Sequence, residues 1–174
     1  VSRHFRDVSS AQGGDMNENV CVFPGSFNPF TLGHRHLAEL ALEKYDKVII
    51  AVAGETYKSD MLGADERVKI ARESLANDAR FDVKYFSGML TDFLAETGCF
   101  NVVRGYRDEK DYEYEKELER IYVSMDRRVN FVLLRSAMAE ISSEKVRRAA
   151  AAGGSLDGLV APGATDDIRK YYGK

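Results

Sequence analysis

Four clusters of polar side chains share one chemical character. The first is Pro24-Gly25-Ser26-Phe27-Asn28-Pro29-Phe30-Thr31-Leu32-Gly33-His34. Its small residues let a ligand approach the backbone closely. A helix opening at Gly33-His34 would aim N–H groups at an anion, and the imidazole adds a donor for the same oxygen. The second is Gly54-Glu55-Thr56-Tyr57-Lys58, with one cation. The third is Arg104-Gly105-Tyr106-Arg107, followed by Asp111 and Glu115 four residues apart on one helical face. Guanidinium forks match phosphate oxygens. The fourth is Ile141-Ser142-Ser143-Glu144-Lys145-Val146-Arg147-Arg148, whose two hydroxyls and first-turn N–H groups suit a polyphosphate. Cations, hydroxyls and helix N-termini neutralise phosphate charge. They do not assemble a proton-abstracting or zinc-binding site. His4 and His36 complete no ligand set with His34, and no Walker A loop, GxGxxG or HExxH is present.

Each cluster also has an ordinary explanation. The first can be a plain connecting turn, Lys58 a solvated lysine, and Asp111 and Glu115 part of a charged outer face with Glu113, Glu117 and Glu119. Ser142 can simply cap a helix, without a capping box because Lys145 stands three residues on. What recommends the functional reading is where all four fall relative to the elements that must carry them.

Those elements alternate. Apolar runs predict strands over Val20–Phe23, Lys47–Ala53, Asp82–Phe86, Phe100–Val103 and Val129–Leu134. Helical spacing predicts helices over Gly33–Tyr45, Ala64–Asn77, Met89–Glu96, Asp111–Met125, Ser142–Ala152 and Asp166–Tyr172. Gly98 is expected to close the third. In the fourth, Tyr114, Leu118, Ile121 and Met125 are expected to face inward, and in the second Ala64, Val68, Ala71 and Leu75 recur at helical spacing. Strands apolar throughout imply burial on both faces, so the fold class is α/β: a Rossmann-like five-stranded parallel sheet with helices on both faces. Such sheets bind ligands at the carboxyl ends of their strands, and all four clusters follow a strand.

Composition bounds the remainder. A mass of 19.5 kDa is one domain, read as a loosely ordered leader over 1–19 and a catalytic domain over 20–174. With 25 Lys+Arg against 28 Asp+Glu the net charge is −3, which excludes a generally basic nucleic-acid binder. No apolar run approaches the ~20 residues of a membrane span. Cys21 and Cys99 read as small core residues in a reducing compartment, so a cytoplasmic location is expected.

Three segments resemble bacterial phosphopantetheine adenylyltransferases, of the nucleotidyltransferase superfamily with the (H/T)xGH motif. Phe23–His34 (FPGSFNPFTLGH) is similar to that family's first loop, with TxGH at Thr31–His34. Arg104–Glu115 (RGYRDEKDYEYE) is similar to RGxR…D[FY]EYE, and Ile141–Arg147 (ISSEKVR) to ISSxxVR/K. Ser87–Phe93 (SGMLTDF) and Gly153–Val160 (GGSLDGLV) extend the resemblance, which runs over about Val20–Tyr172. It implies adenylyl transfer from ATP to 4′-phosphopantetheine, giving dephospho-coenzyme A and pyrophosphate by direct in-line attack. It also implies roles: His34 stabilises charge developing at the α-phosphate. Lys58 and Arg104, with Ser26, hold the attacking phosphate, and Leu90 lines the pantetheine channel. Ser26, Phe27, His34, Arg107, Asp111, Glu115, Ser142 and Ser143 lie on the ATP side. Mg²⁺ would accompany ATP, with no protein side chain as a metal ligand, and the assembly would be a homo-oligomer, a hexamer by analogy.

Two positions depart from the pattern: Asn28 stands where the family usually has Asp, and Glu144 where it has a third serine. The runner-up reading is a nicotinamide or nicotinate mononucleotide adenylyltransferase, which shares (H/T)xGH and ISSxxVR but lacks the RGYR…DYEYE block. A third is a catalytically silent nucleotide-binding paralogue, motivated by Asn28 and Glu144.

Overall fold

The computed structural model describes residues 19–54 and 62–173. The leader apart from Asn19, and the stretch carrying Lys58, lie outside the described residues. Among the described residues five strands form one all-parallel sheet: β1 (Val20–Gly25), β2 (Lys47–Ala53), β3 (Phe81–Phe86), β4 (Asn101–Tyr106) and β5 (Asn130–Arg135). The spatial order is β3-β2-β1-β4-β5. The helices between and after them are α1 (Leu32–Ala41), α2 (Ala64–Ser74), α3 (Leu90–Thr97), α4 (Glu109–Met125), α5 (Ser143–Ala151) and α6 (Thr165–Tyr172).

Alternation along each strand divides the core in two, as parallel strands buried on both faces require. On one face Cys21 and Phe23 of β1 and Val48, Ile50 and Val52 of β2 meet Leu37, Ala38 and Ala41 of α1, Ile70 and Ala71 of α2, Val146 and Ala150 of α5, and Ile168 of α6. On the other face Val22, Ile49, Ala51 and Val102 meet Leu90, Phe93 and Leu94 of α3, with Leu118 and Tyr122 of α4 packed against them. Burying each such aliphatic or aromatic side chain contributes roughly 1.5–3 kcal/mol. Both cysteines are buried and free, as small core residues.

The chain reverses direction across the sheet between β1 and β4, its topological switch point. There the ladder is thin. β1 registers with β2 at six positions but with β4 only at Val22↔Val102. Pro24 has no N–H to donate, and the strands part above Val22 to open a crevice at their carboxyl ends.

Two expectations need correction. β4 runs on through Arg104 and Gly105 to Tyr106, so Arg104 sits inside the strand rather than after it. In α4, Tyr114, Ile121 and Met125 are exposed, while Glu115, Leu118 and Tyr122 face the sheet. Both stripes have helical spacing and share Leu118. Arg104 projects from β4 toward α4, and its need for an acid turns Glu115 inward and the other stripe out. Along α2 and its C-cap, Ala71 and Leu75 of the expected stripe are buried and Val68 packs against the core, with Arg67, Ile70 and Ser74 buried beside them and the Arg67 guanidinium at the head. The third helix ends as expected, with Gly98 in the left-handed region at φ 69°.

Candidate active site

The loop from β1 to α1 is fastened from all sides. Phe27 sits at φ 46°, a region uncommon for a non-glycine residue. Packing holds it there: its ring meets Phe23 edge-on at 5.4 Å and Phe30 at 5.2 Å. The ring lies over Gly25, where a Cβ would approach it to 3.0 Å. Asn28 is 3% exposed. Its Oδ1 accepts from the Leu62 N–H at 3.1 Å and from the Tyr172 hydroxyl of α6. Arg147 of α5 donates to the Asn28 carbonyl at 2.8 Å, and the Ser143 hydroxyl donates to the Pro29 carbonyl at 2.8 Å. The departure at Asn28 thus places an amide in a buried junction between the loop, Leu62 and the last helix.

His34 occupies the first turn of α1 and makes a reciprocal cap with Thr31. The Thr31 Oγ1 accepts from the His34 N–H at 3.3 Å, and the His34 Nδ1 accepts from the Thr31 N–H at 3.0 Å. A backbone N–H can only donate, so Nδ1 is the unprotonated nitrogen and Nε2 carries the hydrogen. Phe27 and Phe30 pack on the imidazole at 5.1 and 5.3 Å. Burial disfavours the charged ring and lowers its pKa to about 4. His34 is therefore a neutral, single-tautomer hydrogen-bond donor at neutral pH.

Arg104 and Glu115 form a bidentate pair, Nε to Oε2 at 2.8 Å and Nη2 to Oε1 at 2.9 Å. Glu115 is 6% exposed. A third donor of Arg104 reaches the Pro24 carbonyl at 3.3 Å, the carbonyl at the parting of β1 and β4. Arg107 donates from Nε to Asp111 at 2.8 Å. That bond is the main cause holding the Asp111 carboxyl below the usual range and the Arg107 guanidinium above its own. Asp111 and Glu115 thus face the two arginines they follow. Ser142 caps α5, accepting from the Lys145 N–H at 3.1 Å. Glu144 points outward and pairs with Arg148 at 2.7 Å along the helix surface.

Between β1, β4, α3 and α4 lies a cavity of about 270 Å³. Ser26 and Arg104 stand at its edge, while Phe86, Met89, Leu90, Leu118, Tyr122 and Phe131 supply apolar wall. A larger groove of about 550 Å³, lined by Lys47, Asp82, Thr97 and Asn101, lies at the opposite, amino end of the strands, away from every motif residue.

The tertiary structure therefore brings Ser26, Phe27, His34, Arg104, Arg107, Asp111, Glu115, Ser142 and Ser143 to the carboxyl end of the sheet, with Leu90 in the cavity wall. Residues missed from the sequence are Arg67, which grips backbone carbonyls there, Tyr172, which reaches Asn28, and Thr31 as the partner of His34. Only Thr31 left a signal, three residues before His34 at a helix start.

A parallel sheet with a charged crevice at its switch point and a TxGH turn defines a nucleotidyltransferase. Residues 22–149 match the family described as cytidylyltransferase-like. The chain is 33% identical over 162 residues to the phosphopantetheine adenylyltransferase of Oleidesulfovibrio alaskensis, covering 92% of this chain and 95% of the relative. It is 35% identical over 161 residues to that of Nitratidesulfovibrio vulgaris (91% and 87%) and 33% over 149 residues to that of Geotalea daltonii (84% and 92%). The chain belongs to the phosphopantetheine adenylyltransferase family. These relatives support the first of the readings weighed above and not the mononucleotide one.

Proposed function

We propose that the protein transfers the adenylyl group of ATP to 4′-phosphopantetheine. A phosphate oxygen of the acceptor attacks the α-phosphorus of ATP, the bond from that phosphorus to the bridging oxygen breaks, and pyrophosphate leaves. The products are dephospho-coenzyme A and pyrophosphate, with no covalent enzyme intermediate. Such a reaction needs alignment and charge neutralisation more than a protein nucleophile.

The observation that carries this reading is an apolar cavity at the switch point with Ser26 and Arg104 in its lining, while the neutral His34 opens α1 at the same edge of the sheet. The cavity suits the pantetheine arm, with Leu90 in its wall. Three of the five donors of Arg104 are engaged by Glu115 and Pro24. The other two, with Ser26 and Lys58, hold the acceptor phosphate. His34 donates from Nε2 to an α-phosphate oxygen as negative charge grows there. Glu115 orients Arg104 and Asp111 orients Arg107, which lies on the ATP side with Phe27. The amino end of α5, with Ser142 and Ser143, takes the departing pyrophosphate. Mg²⁺ enters as part of the ATP substrate, on phosphate oxygens and water.

Pyrophosphate release with ATP and 4′-phosphopantetheine tests the reading. Turnover with nicotinate mononucleotide instead sinks it, and ATP binding without turnover of any acceptor supports the silent paralogue. The exposed stripe Tyr114, Ile121 and Met125 on α4 suits burial between copies, so the protein works as a homo-oligomer, a hexamer by family analogy. No described helix is long and apolar enough to cross a membrane. We place the enzyme in the cytoplasm, without a nucleic-acid or membrane partner.

A further inference from the structure

We propose that Arg67 is a positioning residue for adenylyl transfer, a buried guanidinium that clamps the carboxyl ends of β1 and β2 beneath the substrate phosphates. The inference rests on the reaction proposed above. Arg67 is 1% exposed and heads the core-facing stripe of α2. Its Nη1 donates to the Ser26 carbonyl at 2.7 Å and the Ala53 carbonyl at 2.6 Å. Its Nε donates to the Leu62 carbonyl at 2.9 Å, and its Nη2 reaches the Gly54 carbonyl at 3.4 Å. One planar group thus binds four backbone acceptors from three chain segments.

Two consequences follow. First, the fork sets the distance between the Ser26 loop and the end of β2. Ser26 precedes strained Phe27, whose ring packs on His34, so a shift at Ser26 passes to the imidazole. Second, all four acceptors are neutral, and no ion pair to Arg67 exists among the described residues. A buried cation held by neutral carbonyls raises the potential at the strand ends, where the anionic substrates gather. A lysine keeps the charge but cannot span four carbonyls with one planar fork. A glutamine keeps part of the hydrogen bonding and loses the charge.

Arg67→Lys and Arg67→Gln separate these two effects. Both variants are first brought to a known folded fraction by circular dichroism and urea titration. Arg67→Lys is expected to lose about 100-fold in kcat, the cost of a small misplacement, with KM for both substrates nearly unchanged. Arg67→Gln is expected to lose a similar factor in kcat and to raise KM for ATP about tenfold as well. A merely structural arginine would lower stability and leave kcat and KM of the folded fraction at wild-type values, and that result overturns the proposal. If the wild-type protein does not turn over 4′-phosphopantetheine, the reaction assigned above fails. ATP titration calorimetry then judges Arg67 alone: about tenfold weaker binding by Arg67→Gln than by Arg67→Lys upholds the clamp's charge, and equal affinities reject it.

Discussion

Acidification should destabilise this protein through His34, by an amount that the geometry sets. Phe27 and Phe30 crowd the ring, and the Thr31 N–H occupies Nδ1, the nitrogen that a second proton would need. The pKa falls from 6.5 to about 4 on folding. Between these values the unfolded chain binds a proton at residue 34 and the folded chain does not, so stability rises with pH across that window and is complete above it. At 1.36 kcal/mol per unit, the full difference is on the order of 3 kcal/mol. Going from pH 7.5 to 4.5 removes about 2.5 kcal/mol of it by linkage. His34→Gln is the control, since its amide oxygen accepts from Thr31 and never titrates. Urea unfolding of both proteins at both pH values isolates the term, because every other titrating group is common to the two. Wild type should lose about 2.5 kcal/mol more than His34→Gln. Equal losses would refute the reasoning, since they would mean that the ring titrates alike in folded and unfolded chains and is not held neutral by its cage. The same neutrality predicts a turnover rate without a step near pH 6.5 from this residue.

Three further outcomes follow from the site and its surroundings. Glu115→Gln should lower stability by about 2 kcal/mol, less than a fully buried pair because Arg104 keeps a quarter of its side chain exposed. It should also raise KM for 4′-phosphopantetheine several-fold, and unchanged KM by steady-state kinetics would detach Arg104 from the acceptor. Among the described residues the buried Oε2 of Glu73 in α2 finds no hydrogen-bond partner, and burial followed by the nearby Asp167 carboxylate raises its pKa. The folded state holds its proton more tightly, so this group costs stability as pH rises through the raised value. Glu73→Gln should therefore melt higher than wild type at pH 8 and approach it at pH 4, and identical curves at both pH values would contradict this. Ile121→Asp places a charge on the exposed α4 stripe, and sedimentation velocity should show a smaller species with an unchanged circular dichroism spectrum.

Much of the architecture was legible because it rests on local patterns. Lys47–Ala53 is strand from end to end since its seven residues are apolar or β-branched throughout, apart from the lysine that opens it. Gly98 closes α3 because a left-handed position follows the last apolar residues. The site was legible as a list of positions, since a parallel sheet delivers the ends of its strands to one edge. Pairing was not legible. Asp111 and Glu115 follow the arginines in sequence, but nothing in their spacing says that Glu115 reaches back eleven residues to hold Arg104 in a fork.

The amino-acid sequence by itself determined the α/β class, the strand-end placement of the motif residues and the family resemblance, because these depend on period and composition over short windows. The tertiary structure alone decided which face of α4 turns inward, that Asn28 Oδ1 meets Leu62 and Tyr172, that His34 is neutral with its proton on Nε2, and that Arg67 is buried among carbonyls. Each of these turns on burial and on partners distant in sequence, and a charge's protonation and orientation follow from what surrounds it in space.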